Sequence, residues 1–300
     1  MTNAETAIRI SALTVRYGRK TAVDDVTLAV PKGSIYALLG RNGAGKSSLV
    51  RCLVGQQKPT AGAVEIFGED VWKRRGALME RVGVVSEEAD APPDMRVDQL
   101  AAFSRSLYSR WDQAAFDDRL RRFGIASRGK YGDLSKGQKK QVSLALALAA
   151  SPELVVLDDP TLGLDVVARK SLFEEVIAEM ADRGITVLIT THDLAGVEAI
   201  ADRVGILAAG GRLVLDEEME ALKSRFRRVR FATQPAALAG GNLRTTAVRS
   251  WGAGTEAVVM NYDELAFERF RSASDVSAAE ITPMTLEDIF IAVTGEGAPS

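Results

Sequence analysis

One glycine-rich segment restricts the fold of this chain more than any other feature. The letters GRNGAGKS at residues 40–47 match the phosphate-loop pattern G-x-x-x-x-G-K-[ST], which works only between a strand and a helix. The apolar run at residues 35–39 has a buried-strand pattern, and the helical pattern after the loop ends at Gly55. The segment therefore predicts a strand, a phosphate-binding loop and a helix, in that order.

The residue types of this loop are suited to binding a nucleoside triphosphate and Mg²⁺. Glycines let backbone N–H groups turn toward phosphates, and the N-terminus of the following helix adds partial positive charge. Lys46 is predicted to reach the β and γ phosphates, and the Ser47 hydroxyl to ligate Mg²⁺. The predicted ATP-binding residues of the loop are Arg41, Asn42, Gly43, Ala44, Gly45, Lys46, Ser47 and Ser48.

A second apolar strand, at residues 154–157, ends in two carboxylates, Asp158 and Asp159. In a phosphate-loop enzyme the first acid holds Mg²⁺, usually through water, and the next aligns or deprotonates the attacking water. Taken alone, the same pair also fits a surface turn before Pro160. We predict that Asp158 is a metal ligand through water and that Asp159 is catalytic.

The remaining patterns predict an α/β fold. Residues 1–30 alternate as an antiparallel β-layer, and strand signals at 154–157 and 186–190 follow helical stretches, which indicates a mainly parallel sheet. Helical patterns at about 88–141 indicate an inserted subdomain within a first domain of residues 1–222. Residues 223–300 read as a small α+β domain, which ends in an apolar helical stripe after Thr285.

Composition excludes several classes of protein. The net charge of −2 gives no overall attraction to nucleic acid or anionic lipid. The single cysteine cannot form an internal disulfide, and the first residues lack a secretory signal. The longest apolar run, residues 144–150, is far shorter than the roughly 20 residues of a membrane-spanning helix. These features predict a cytoplasmic protein.

The letters LSKGQ at residues 134–138 resemble the signature L-S-G-G-Q of ABC ATPases. The resemblance covers residues 7–222 and implies a RecA-like P-loop NTPase fold. It implies that Tyr17 stacks on adenine, that Asp165 is the D-loop acid, and that His192 senses the γ-phosphate. Without the resemblance, a structural role is favoured for the lone histidine, and a core position at a strand end is the alternative for Tyr17.

The resemblance also implies a dimer. In the family the signature contacts ATP held on the opposite subunit, and here those residues are Ser135, Lys136, Gly137 and Gln138. One phosphate loop and one signature per chain imply two composite sites between two copies or closely related subunits.

Three residues depart from the family pattern. Asp159 stands where glutamate is usual, and its side chain is shorter by about 1.5 Å, so turnover is expected to be slow unless a backbone shift or an ordered water makes up the reach. Glu87 replaces the usual Mg²⁺-contacting glutamine, although the register leaves Glu88 or no ligand as alternatives. Lys136 replaces the first signature glycine and adds a positive charge.

The length and the ending MTLEDIF resemble ATP-binding subunits of ABC-2 type exporters. This implies a transmembrane permease partner, a location on the cytoplasmic face of the cell membrane, and a docking surface at residues 87–111. One alternative is a soluble ABC ATPase acting on a macromolecule, supported only by the basic residues 225–230; we expect no nucleic-acid partner. Another is an ATP switch that hydrolyses slowly.

Overall fold

The computed structural model describes residues 6–88, 91–232, 243–252, 254–273 and 279–295. Within these ranges the strands form a six-stranded sheet and two four-stranded sheets. No helix in the described ranges is long and apolar enough to cross a membrane.

The central six-stranded sheet carries the phosphate loop. Its strand order is β10-β9-β3-β8-β7-β6, and every neighbouring pair is parallel except β9 and β10. Its strands are β3 (Ile35–Gly40), β6 (Val82–Val85), β7 (Leu154–Asp158), β8 (Thr186–Thr191), β9 (Arg203–Leu207) and β10 (Leu213–Glu218). The inner strands are continuously buried because helices cover both faces, as the apolar runs predicted. The predicted mainly parallel core is confirmed.

The predicted antiparallel β-layer is also present. Its order is β2-β1-β4-β5, and its strands are β1 (Thr6–Tyr17), β2 (Lys20–Pro31), β4 (Ala61–Ile66) and β5 (Glu69–Asp70). The alternating apolar side chains of β1 and β2 all point into one buried cluster, because successive strand residues face opposite sides. Gly18 makes the turn between these strands with a positive φ of 58°.

Helices surround the central sheet and cover its two faces. They are α1 (Lys46–Leu53), α2 (Val71–Met79), α5 (Lys136–Ala149), α6 (Val166–Arg183), α7 (Leu194–Glu198) and α8 (Met219–Arg225). Residues of α5, α6 and α7 share one buried cluster with β7 and β8. This packing fixes the carboxyl ends of β7 and β8, where the acidic pair and His192 lie.

Two further helices, α3 (Val97–Arg105) and α4 (Gln113–Arg122), fall within the range predicted to be a helical subdomain. They enclose a separate apolar cluster with the far side of α5, which includes Phe116 and Tyr131. Arg119 of α4 is buried and forms ion pairs with Glu175 and Glu179 of α6. Ion pairs as well as apolar packing therefore attach this helical layer to the core. The boundaries of a subdomain at 88–141 remain a prediction.

The C-terminal residues form the third sheet, which is antiparallel and has the order β12-β13-β11-β14. Its elements are β11 (Arg227–Phe231), β12 (Thr245–Trp251), β13 (Gly254–Val259), α9 (Glu264–Ala273), β14 (Ala279–Pro283) and the last helix, α10 (Leu286–Thr294). The sheet and α9 share a cluster of their own, whereas α10 buries Leu286 and Ile289 in the central cluster. Thr285 caps α10 as predicted, and the core supplies the surface on which its apolar stripe packs. The domain division at residue 222 stays a prediction.

Candidate nucleotide site

The glycine loop turns sharply between β3 and α1. Gly43 and Gly45 have φ angles of 83° and 100°, in the left-handed region that glycine adopts without steric cost. A Cβ at Gly45 would lie 2.2 Å from the carbonyl oxygen of Ala22, whereas one at Gly43 would meet nothing within 4 Å. Gly45 is therefore needed for close packing against β2, and the open side of Gly43 leaves room for a ligand.

Lys46 begins α1 with its side chain folded back over the loop. Only 6% of the residue is exposed, and its Nζ donates a hydrogen bond to the carbonyl oxygen of Gly40 at 2.8 Å. A buried ammonium with one carbonyl partner keeps two further N–H donors for a ligand. Together with the free N–H groups at the start of α1, it makes this end of the loop suited to a polyanion.

A cavity of about 320 Å³ opens at the loop. It brings together most of the residues predicted from sequence. Its lining residues are Tyr17, Lys20, Ala22, Asn42, Gly43, Ala44, Gly45, Lys46, Ser47, Ser48, Glu87 and Asp159. Lys20 was not predicted, because nothing in its local sequence distinguishes it from other surface lysines.

Tyr17 lies at the rim of this cavity. Its hydroxyl is 2.6 Å from Gln57 Oε1 and 3.3 Å from Ser48 Oγ, and 43% of the residue is exposed. The tyrosine is therefore not a core residue, and its ring is available for stacking on a ligand. Stacking on adenine remains a prediction.

Arg41 does not line this cavity. It lies on a neighbouring cavity of about 680 Å³, which the phosphate loop shares with His192 and with Phe290 of α10. Phe290 could not be predicted at this cavity, since about 250 residues separate it from the loop.

The acidic pair is held by β8. Because β7 and β8 are parallel with Asp158 opposite Thr190, the Thr190 hydroxyl donates a hydrogen bond to Asp158 Oδ1. The Asp159 N–H donates to the Thr190 carbonyl oxygen at 2.9 Å, and Asp159 adopts a positive φ of 46°. Asp159 is 8% exposed, so its carboxylate is fixed in direction.

His192 follows β8 and faces Asp159 directly. Its Nδ1 is 2.8 Å from Asp159 Oδ1, and half of its side chain is exposed. One side of the ring therefore contacts Asp159 and the rest is open to solvent, so His192 is not a buried core residue. Because β7 and β8 are parallel, their carboxyl ends lie at the same edge of the sheet, and this places His192 beside the acidic pair.

Lys140 lies beside the acidic pair and was not predicted from the sequence. It is 4% exposed, and its Nζ donates a hydrogen bond to the Ser86 carbonyl oxygen at 2.6 Å. Burial lowers the pKa of Lys140, against the opposing effect of nearby carboxylates. A signal was present, because Lys140, Leu144 and Leu148 recur at helical spacing on one face of α5.

The signature lies at the start of α5 and does not line the 320 Å³ cavity. Ser135 Oγ accepts a hydrogen bond from the Gln138 N–H at 3.2 Å, and Gln138 Oε1 accepts one from the Ser135 N–H at 3.0 Å. This capping box shows the local, structural use of two signature residues. Asp165 similarly caps α6 by accepting from the Ala168 N–H at 2.8 Å.

The donor set fits a divalent ion that is shared with a nucleotide. No group of three or more His, Cys, Asp or Glu side chains that could hold a metal occurs among residues the structure describes. Mg²⁺ needs no such cage, because it commonly takes one or two protein oxygens together with phosphate oxygens and water. Ser47 and Glu87 on the cavity, with Asp158 at the end of β7, match that requirement.

Comparison with known proteins identifies the family. The family model described as ABC transporter matches residues 23–162. The bacitracin transport ATP-binding protein BcrA of Bacillus licheniformis is 34% identical over 225 residues, which cover 74% of this chain and 73% of BcrA. A daunorubicin resistance ATP-binding protein of Streptomyces coeruleorubidus is 35% identical over 226 residues, 74% of this chain and 71% of that protein.

The fold comparison agrees. A solved ATP-binding subunit of an ABC transporter matches with a TM-score of 0.67 and 27% identity, covering 73% of this chain and 92% of that one. The cbiO1 protein of Clostridium perfringens, part of the transporter complex cbiONQ, matches with a TM-score of 0.64 and 26% identity, over 73% and 91% of the two chains. The chain belongs to the ATP-binding proteins of the ABC transporter family.

Proposed function

We propose that this chain is the ATP-hydrolysing subunit of an exporter whose membrane permease is made by other chains. The observation that carries the proposal is the cavity in which the phosphate loop, Glu87 and Asp159 meet. Relatives are named for bacitracin transport, daunorubicin resistance and Nod factor export, which supports an export role. On this proposal the subunit works on the cytoplasmic face of the cell membrane.

Within the site, each side chain has a proposed task. Lys46 and the loop N–H groups bind the phosphates, and Tyr17 stacks on the base. Ser47, Glu87 and, through water, Asp158 would hold Mg²⁺, which would neutralise charge on the phosphates. Asp159 orients and deprotonates the attacking water, and His192, at 2.8 Å from Asp159, holds that carboxylate in place and contacts the γ-phosphate.

We further propose that two subunits close over two ATP molecules. The signature residues Ser135, Lys136, Gly137 and Gln138 lie outside the lining of their own chain's cavity, which supports their use on the partner's nucleotide. Val166 and Val167 follow Asp165, and both side chains are apolar and exposed. Exposed apolar side chains next to each other are typical of a protein interface. Asp165 belongs to this proposed interface.

Dimerisation is tested with Asp159→Asn, which keeps the shape of the side chain and removes the catalytic charge. We expect its mass in solution to double when Mg²⁺ and ATP are added, because bound ATP is not consumed. Lys46→Ala is the control and should stay monomeric, since it lacks the phosphate contact. A monomeric Asp159→Asn at saturating ATP would contradict the composite site.

The permease proposal is tested by purifying the tagged chain from its own cells in detergent. We expect a multi-spanning membrane protein to copurify. Residues 87–111 are the proposed docking surface, and Phe103 and Leu107, 59% and 60% exposed, are its apolar contacts. Phe103→Asp should abolish copurification, whereas Leu265→Asp, at an exposed position of α9, should not. Copurification by Phe103→Asp would contradict this surface.

The basic stretch at residues 225–230 no longer supports a soluble ABC ATPase that acts on nucleic acid. The arginines of residues 225–230 have acidic or carbonyl partners: Arg225 with Glu217, Arg227 with the Lys223 carbonyl oxygen, Arg228 with Asp288, and Arg230 with Glu256. Charges already paired within the chain release few counterions on binding nucleic acid. Retention on heparin at moderate salt, without a membrane partner, would favour that class instead.

A second candidate, the slow ATP switch, is favoured by Asp159. Its carboxylate is one carbon–carbon bond shorter than the usual glutamate and is engaged by His192. In this version the same dimer forms and persists, because hydrolysis opens it rarely. Single-turnover measurement of phosphate release separates the two candidates. A slow switch hydrolyses its bound ATP, and so releases phosphate, much more slowly than the ATP-hydrolysing subunit of an exporter.

A further inference from the structure

Lys140 is a buried cation that none of the roles above uses. It lies in the second turn of α5, and its ammonium contacts two backbone oxygens from different segments. The Ser86 carbonyl oxygen accepts at 2.6 Å, and the Asp159 carbonyl oxygen lies at 3.5 Å. A buried charge is costly unless it is hydrogen-bonded, so these contacts hold the segments together. Lys140 thereby joins the helix of the signature, the segment before Glu87 and the turn after β7.

Four carboxylates lie near this ammonium. Glu87, Asp158, Asp159 and Glu88 each act on Lys140 electrostatically. Two of them, Glu87 and Asp159, line the same cavity as the phosphate loop. A triphosphate entering that cavity would meet carboxylates at close range, in an environment where such repulsion is weakly screened. A fixed positive charge among them reduces this repulsion.

The contact with Asp159 also bears on geometry. The backbone of Asp159 is held in the left-handed region by its N–H bond to Thr190 at one side and by Lys140 near its carbonyl oxygen at the other. A catalytic group misplaced by about 1 Å loses on the order of 100-fold in rate. Removing Lys140 leaves the carbonyl side of Asp159 without its cation.

We propose that Lys140 is a positioning residue of the ATP site, which fixes the Asp159 turn and supplies the charge that makes Glu87 compatible with a bound triphosphate. The inference rests on the proposed function. It differs from a structural role in one respect: the effect of losing Lys140 must depend on the charge of Glu87, which Lys140 does not touch.

The test is a double-mutant cycle of wild type, Lys140→Met, Glu87→Gln and the double variant. Methionine keeps the length of the side chain and removes its charge. The readouts are the dissociation constant of MgATP by calorimetry, turnover at saturating ATP, and the thermal midpoint. Lys139→Met is the matched control, because Lys139 is the next residue on α5 and faces Tyr131, with its Nζ 5.4 Å from the ring centroid.

We expect Lys140→Met to weaken MgATP binding about tenfold, as the loss of a charge-assisted contact implies. Glu87→Gln removes the charge and keeps a side-chain oxygen for Mg²⁺, so its effect on binding in the wild-type background is the reference for the second background. In the Lys140→Met background the same change should restore most of the lost affinity. Turnover should stay at least about tenfold low in both Lys140→Met proteins, because the Asp159 turn is no longer fixed. Lys139→Met should match wild type.

Two outcomes overturn the proposal. One is a Lys140→Met protein that binds and hydrolyses ATP like wild type. The other is a Glu87→Gln effect that is equal in both backgrounds, to within the roughly twofold agreement of independent sites. If Lys140→Met does not fold, Lys140→Arg replaces it: retained charge predicts MgATP affinity within about threefold of wild type, and a folded arginine variant without affinity refutes the charge role. A wild-type chain that binds no MgATP would instead refute the proposed function.

Discussion

Replacing Asp159 by glutamate tests the assignment of the catalytic carboxylate most directly. The structure holds Asp159 Oδ1 at 2.8 Å from His192 Nδ1, on a backbone with a φ of 46°. Glutamate carries its carboxylate about 1.5 Å farther from the backbone. If the aspartate falls about 1 Å short of the attacking water, correcting its reach is worth up to about 100-fold in rate, or about 2.7 kcal/mol of barrier.

The same substitution has a separate effect on stability. Left-handed backbone suits aspartate, whose short side chain bonds locally, better than glutamate. A strain of about 1 kcal/mol is expected, which corresponds to a fall of about 2 °C in the thermal midpoint of a chain of this size. Backbone strain changes the free energy of folding, whereas the reach of the carboxylate changes the barrier to hydrolysis. The thermal midpoint therefore measures the first effect, and turnover measures the second.

The assay is phosphate release at saturating MgATP, beside the thermal midpoint and the MgATP dissociation constant. We expect Asp159→Glu to raise turnover at unchanged affinity, and Asp159→Asn to lower it. Turnover that falls in Asp159→Glu at unchanged affinity would show that aspartate has the fitting length and that the reasoning about reach is wrong. Unchanged turnover in Asp159→Ala would remove Asp159 from catalysis altogether.

The other predictions concern folding and reactivity. Gly45→Ala should abolish MgATP binding or folding, because its Cβ would lie 2.2 Å from a backbone oxygen, whereas Gly76→Ala in α2 meets nothing within 4 Å and should leave the thermal midpoint equal or higher. Burial opposes the ionisation of Glu256, but hydrogen bonds from arginines outweigh it and lower its pKa. Its contribution to stability is therefore present above about pH 4.3 and lost as pH falls toward the lowered value, so the thermal midpoint of Glu256→Gln should fall less than that of wild type between pH 6 and pH 3.5. Burial raises the pKa of the Cys52 thiol to about 11, so a thiol reagent at pH 8 should modify it only after denaturation; rapid modification of the native chain would contradict this.

The sequence alone determined the parts of this protein that depend on neighbours in the chain. The phosphate loop needs its glycines at fixed spacing between a strand and a helix, and β7 needs an apolar run before its carboxylates. Both features can be recognised from a few consecutive residues. The position of His192 could also be predicted, since parallel strands bring their carboxyl ends to one edge of a sheet. Local pattern therefore predicted three inner strands of the central sheet, β3, β7 and β8, and most of the cavity lining.

Only the tertiary structure decided which distant groups complete the site. The Lys140 ammonium reaches the Ser86 carbonyl oxygen 54 residues away, and Phe290 comes to a cavity beside the loop. The arginines of β11, which read as a basic stretch, are paired with carboxylates such as Glu256 and Asp288 on other elements. Charge and burial are set by what packs nearby in space, and a linear sequence does not contain those distances until the chain has folded.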